Sequence, residues 1–122
     1  MPDINLSWKA PTGGEEPTEY KIFRKTGALS GSQEADGFGS LDAAANAAGG
    51  ITSLNQPHIS SASWKGSDQS FTDNAGLVAD TTYHYCVAAS KNGMLSDFAN
   101  ALDTNPTGGT TAGKVFTVTT AP

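Results

Sequence analysis

The sequence predicts an all-β fold, a two-sheet sandwich, on three observations. Near the N-terminus the apolar residues Ile4, Leu6 and Trp8 alternate with Asn5, Ser7 and Lys9, the period of two of a half-buried strand. Residues 81–89 are dense in β-branched and aromatic side chains, which suit a pleated surface. Short strand-like runs follow one another with turn signals between them, an order that argues for a sandwich and against a βαβ fold.

The elements follow in order. After the first strand, Pro11, Gly13, Gly14 and Pro17 make residues 10–17 a turn. Residues 20–25 predict a second strand with Tyr20 and Ile22 on the inner face and Lys21 and Phe23 on the other. Residues 27–39, rich in Gly and Ser, read as loop. Residues 40–50 predict a helix of about two turns. Ser40 would be its N-cap, Asp42 would sit in its first turn, and Gly49 or Gly50 would close it. Its apolar stripe would be Leu41, Ala44, Ala45 and Ala48. Residues 51–66 read as polar and irregular, with Trp64 near the end. A short strand is predicted at 70–73 and a turn at 74–80. The run at 81–89 places Tyr83, Tyr85, Val87 and Ala89 on one face and His84, Cys86 and Ala88 on the other. Asn92-Gly93 marks a hairpin turn, with a return strand at 95–102. Residues 105–113 read as a flexible spacer, and 114–120 as one more strand.

Size and composition limit the function. With 122 residues the chain has room for one sandwich core. Charged residues make up only 16% and the net charge is −5. Seven basic residues form no stripe that could neutralise phosphates, so nucleic-acid binding is not expected. No run is long and apolar enough for membrane insertion. The first residues lack a basic and an apolar region, so no signal peptide is read in this chain. The single cysteine, Cys86, excludes an intrachain disulfide.

Enzyme chemistry is not expected either. No Gly-x-Ser-x-Gly turn is present, and Cys86 and His84 on one strand face lack an oxyanion hole. The pair reads as a solvent-side or interface pair. His58, His84 and Cys86 are too few and too scattered for zinc, and Asp73, Asn74 and Asp80 lack calcium-loop spacing and read as turn caps. Gly37-Phe38-Gly39 has no Lys-Ser/Thr after it, so it is no phosphate loop. No catalytic residue, metal or cofactor is expected.

Leu6, Ser7, Trp8, Lys9, Ala10 and Pro11, then Tyr20 to Arg24, then Ser70 to Asp73, then Leu77 with Thr81, Tyr83, Tyr85, Val87 and Ala89, then Asn92-Gly93, Ser96 and Asn100, resemble successive strand motifs of fibronectin type III domains. The resemblance begins at the family's second strand. It implies a buried Trp8 between two sheets and a tyrosine corner in which the Tyr83 hydroxyl reaches the loop around Leu77. The expected core is Leu6, Trp8, Tyr20, Ile22, Phe71, Leu77, Tyr83, Tyr85 and Val87.

The chain departs from the family in three places. The first strand is missing, residues 26–69 form a long insertion carrying the short helix, and 103–122 add a spacer and an extra strand to the domain at 1–102. The missing strand leaves an edge. Residues 114–120 are expected to fill it within the chain, to pair with a neighbouring subunit by strand addition, or to lead into a further domain. Phe38, Leu54 and Trp64 in the insertion and Val115, Phe116 and Val118 near the C-terminus are the candidate contact residues, although burial against the sandwich is the plainer role for the insertion's apolar residues.

The resemblance is nearest to domains of phage virions and bacterial surface proteins. It implies a non-catalytic structural or protein-interaction module on a capsid, tail or cell surface, with a protein partner, neighbouring subunits or a homo-oligomer. The alternatives are a spacer or glycan-binding module of a larger secreted enzyme, with Trp64 and Phe38 as a sugar-stacking platform, and a cytokine-receptor-like or adhesion domain.

Overall fold

A computed structural model describes residues 3–98 and 109–122. The fold is all-β, with antiparallel sheets and two short helices. Strand β1 (Ile4–Lys9) pairs with β4 (Asp68–Asp73), Leu6 opposite Phe71 and Trp8 opposite Gln69. The larger sheet runs β3 (Ile51–Pro57), β2 (Glu19–Thr26), β5 (Thr82–Lys91), β8 (Val115–Thr119), β7 (Thr110–Ala112). Strand β6 (Met94–Phe98) also pairs with β5.

β5 organises the larger sheet. One side pairs with β2 along eight residues, from Glu19 opposite Ser90 to Thr26 opposite Tyr83. Its other side is shared. β6 takes the C-terminal half through a register shift between Ala88 and Ser90, and β8 takes Thr82–Tyr85. The β5–β6 turn has Asn92 and Gly93 at φ 52° and 74°, the double left-handed conformation for which Asn-Gly is suited.

The main core draws on both sheets. Ile4, Leu6 and Trp8 of β1 meet Tyr20, Ile22, Tyr83, Tyr85, Val87, Phe116 and Val118 of the larger sheet, with Leu77 closing one end. Phe71, Leu54 and Ala89 are partly buried against this cluster. Trp8 stacks edge-on against Tyr20, centroids 5.1 Å apart. The Tyr83 hydroxyl accepts the Val78 N–H at 2.8 Å, tying β5 to the loop after Leu77.

A buried ion pair joins the sheets. Arg24 Nη1 donates to Asp73 Oδ2 at 2.7 Å, the Tyr85 hydroxyl donates to the same oxygen at 2.6 Å, and the Ala75 N–H donates to Oδ1. The Asp73 side chain is fully buried, so its charge depends on these donors. The guanidinium also lies over the Tyr83 ring.

The outer face of the larger sheet carries a second apolar cluster. Phe23 of β2, Cys86 of β5, Val115 of β8 and Phe38 of the insertion are all buried, flanked by Leu29, Ile51, Leu95 and Phe98. The insertion is therefore a third layer. Helices α1 (Gln33–Asp36) and α2 (Ala43–Ala48) belong to it. Gly39, at φ 105°, lets its backbone run over Phe23, since a Cβ there would lie 2.3 Å from the ring. Gly113 likewise admits the carbonyl of Glu34, which accepts the Lys114 N–H at 2.8 Å.

Several expectations need correction. Residues 51–57, read as irregular, form β3. The N-cap of α2 is Asp42, whose carboxylate accepts from the Ala44 and Ala45 N–H groups, not Ser40. The buried position of α2 is the polar Asn46, not the alanine stripe. Asn46 exchanges two hydrogen bonds with the Ser40 backbone and donates to Ser53 Oγ, which outweighs the small area an alanine can bury. The C-terminal strand folds back within the chain, but onto β5 and not beside β1. Residues 110–112, read as spacer, are β7. The predicted return strand at 95–102 is described as far as Phe98, and Asn100, with part of the spacer at 105–113, lies outside the described residues.

Candidate interaction surfaces

The structure separates the candidate contact residues into two groups. Phe38, Val115, Phe116 and Val118 are buried within the chain, Phe38 and Val115 in the outer cluster and the other two in the main core. They are held there by the return of β8 onto β5 and by the insertion lying across Phe23. Leu54 and Trp64 are half-buried, Leu54 on β3 and Trp64 in the loop between β3 and β4. Phe38 and Trp64 belong to different layers and form no common platform. The expected core residues Leu6, Trp8, Tyr20, Ile22, Phe71, Leu77, Tyr83, Tyr85 and Val87 lie in or against the main cluster.

The residues with reactive side chains are engaged by the fold. Cys86 is not on a solvent-side face: its thiol donates to the Phe38 carbonyl at 2.7 Å, and the Phe38 N–H points back to the sulfur at 3.3 Å. Burial pushes its pKa up to about 12, so the unreactive thiol form persists at neutral pH. His84 Nδ1 bonds to the Thr117 hydroxyl at 2.7 Å on the neighbouring strand.

His58 stands at the end of β3 in a hydrogen-bonded row. Its Nδ1 is 2.8 Å from the Tyr20 hydroxyl and its Nε2 is 2.9 Å from Glu16 Oε2. The Ser60 hydroxyl donates to the same Glu16 oxygen at 2.6 Å and, with His58 behind it, holds that carboxyl below its ordinary pKa. Trp64 meets the His58 ring edge-on, centroids 5.7 Å apart. Burial, reinforced by the Glu16 charge, pushes Tyr20 up to about 12. The row ties the β1–β2 turn and the β3–β4 loop to β2. Among the described residues no group of three or more His, Cys, Asp or Glu could hold a metal, and no helix is long and apolar enough to cross a membrane.

A cleft of about 350 Å³ opens beside this end of the core. Trp8, Tyr20, Val87 and Ala89 supply apolar wall, and Lys9, Ser96 and Asp97 are among its polar lining. It arises because β1 and β6 belong to different sheets and no described strand bridges them. Among the described residues the Nε1 of Trp8 is buried without a hydrogen-bond partner, a state that costs free energy until an acceptor is supplied. An adjoining depression of about 320 Å³ shares Pro11, Ala89 and Ser96 with the cleft and extends to Met94, whose side chain is 75% exposed. Sequence reasoning assigns Trp8 and Tyr20 to the core and misses the opening beside them.

Comparison with protein-family models, with curated proteins and with solved structures finds no match.

Proposed function

We propose that the chain is a non-catalytic structural or protein-interaction module of fibronectin type III type, carried at the surface of a virion or a cell. The observation that carries this reading is the preformed cleft beside Trp8. It offers apolar wall, a polar margin and a buried N–H with no acceptor among the described residues, the combination that takes up an apolar side chain and a carbonyl of a protein partner. Cys86, His58 and His84 support it from the other side, because each is already bonded within the fold. Trp8 between the sheets, the Tyr83 hydroxyl on the Val78 N–H and the Asn92-Gly93 hairpin support the family reading.

Binding of the purified, labelled chain to particles or cells of its own source tests the proposal. The chain is expected to bind saturably. Asp97→Lys alters an exposed side chain lining the cleft and is expected to weaken binding at least tenfold, about 1.4 kcal/mol, with an unchanged melting curve. Equal binding by both chains would remove the cleft from the contact. No binding by either would remove the surface role.

A further inference from the structure

β3 is an edge strand. It pairs with β2 in unbroken register, from Glu19 opposite Pro57 to Lys25 opposite Ile51, and has no second strand neighbour among the described residues. Its outer side therefore presents a row of backbone N–H and C=O groups to an incoming strand. Edges of this kind are ordinarily blunted by charge, by a bulge or by shortness. β3 has seven residues, no bulge and no charged side chain, and its one proline, Pro57, stands at the end.

The surroundings of β3 share this neutrality. Residues 43–64 contain no Asp, Glu, Lys or Arg, in a chain with 7 basic and 12 acidic residues. That stretch includes α2, whose Asn46 bonds to Ser53 of β3. The other edges differ: β4 begins and ends on Asp68 and Asp73, β1 ends on Lys9, and β7 has only three residues.

We infer that β3 pairs with β3 of a second copy of this chain, antiparallel about a two-fold axis at Leu54. Leu54 then faces Leu54 of the partner subunit. Thr52 faces Gln56 of the partner subunit on one face of the sheet, and Ser53 faces Asn55 of the partner subunit on the other. No like charges meet across the contact, although each copy carries a net charge of −5 and repels the other elsewhere. Pro57, lacking an N–H, falls at the margin of the ladder, where the hydrogen bond it forfeits is the terminal one. The two larger sheets become one continuous sheet, an isologous interface that closes on itself. The pairing deepens the assembly role proposed above and rests on it for its purpose, but mass tests the pairing alone and particle binding tests the role alone.

Sedimentation equilibrium of the full chain across a concentration series tests the inference. The expected mass at the upper end is twice 12.5 kDa. Thr52 is exposed, so Thr52→Lys places a charge on the edge and is expected to raise the dissociation constant at least tenfold, with an unchanged far-UV spectrum and melting curve. Amide exchange at 51–56 is expected to slow as concentration rises. A monomer at millimolar concentration would overturn the inference. So would a dimer unaffected by Thr52→Lys, or one whose concentration-dependent protection lies outside β3.

Discussion

Asp73 concentrates the electrostatics of the fold in one side chain. It receives Arg24, the Tyr85 hydroxyl and the Ala75 N–H where water does not reach. Asp73→Ala would leave the largely buried Arg24 cation without its counter-charge. We expect a loss of about 3–5 kcal/mol in urea denaturation, far above the cost of an exposed ion pair. Cys86 makes a second prediction, on pH. Below about pH 9 its thiol is protonated in the folded and unfolded chain alike, and the full stability is present. Above that, the unfolded thiol ionises while the buried one does not, until its own pKa near 12. The unfolded state then binds fewer protons, so stability falls as pH rises, by about 1.4 kcal/mol per unit for this group. Tyr20 and Tyr85, both raised chiefly by burial, steepen the fall from pH 10 upward. Urea midpoints between pH 8 and 10 check this, and Cys86→Ala is expected to flatten the slope between 9 and 10.

At the scale of elements, the insertion acts as a covering layer. Phe38 fills the space over Phe23 and Cys86, and the glycines on either side let the backbone lie close to the rings of Phe98 and Phe23. Phe38→Ala is expected to cost about 3–5 kcal/mol through the cavity it leaves. It is also expected to make Cys86 react with a thiol reagent under native conditions, where the parent chain does not. Unchanged protection of Cys86 would mean that Phe38 does not close this layer. The strands that the sequence makes legible, β1, β2 and β5, have strict alternation or high β-propensity. β3 escapes notice because its apolar residues, Ile51 and Leu54, stand three apart and face opposite sides of the sheet, each packing against a different cluster. The helix is legible in place but not in orientation, since six small residues bury little area and the hydrogen bonds of Asn46 decide which side faces inward. The second cluster has a signal in Phe23 and Cys86, apolar residues on the outward faces of their strands. Only a chain segment lying across both explains them, and the topology of that segment is set by contacts distant in sequence.

At the scale of the whole molecule, two features distinguish the chain from a plain sandwich. One is the shared flank of β5, where β6 and the returning β8 each take half, so that Phe116 and Val118 enter the main core from the far end of the chain. The other is the surface that remains: a cleft beside Trp8 and a long uncharged edge at β3. The core and the Tyr83 corner follow from motifs readable in the sequence. The cleft does not, because it lies between strands of different sheets whose juxtaposition is set by contacts distant in sequence. A surface role asks only for rigid presentation, and burial of Cys86 and Asp73 in bonded networks serves rigidity. The most direct measurement is the accessibility of the chain in place, with antibodies raised against the folded protein and applied to intact particles or cells of its source, before and after disruption. Equal labelling in both states is the result expected of a surface module. Labelling that emerges only after disruption would contradict it.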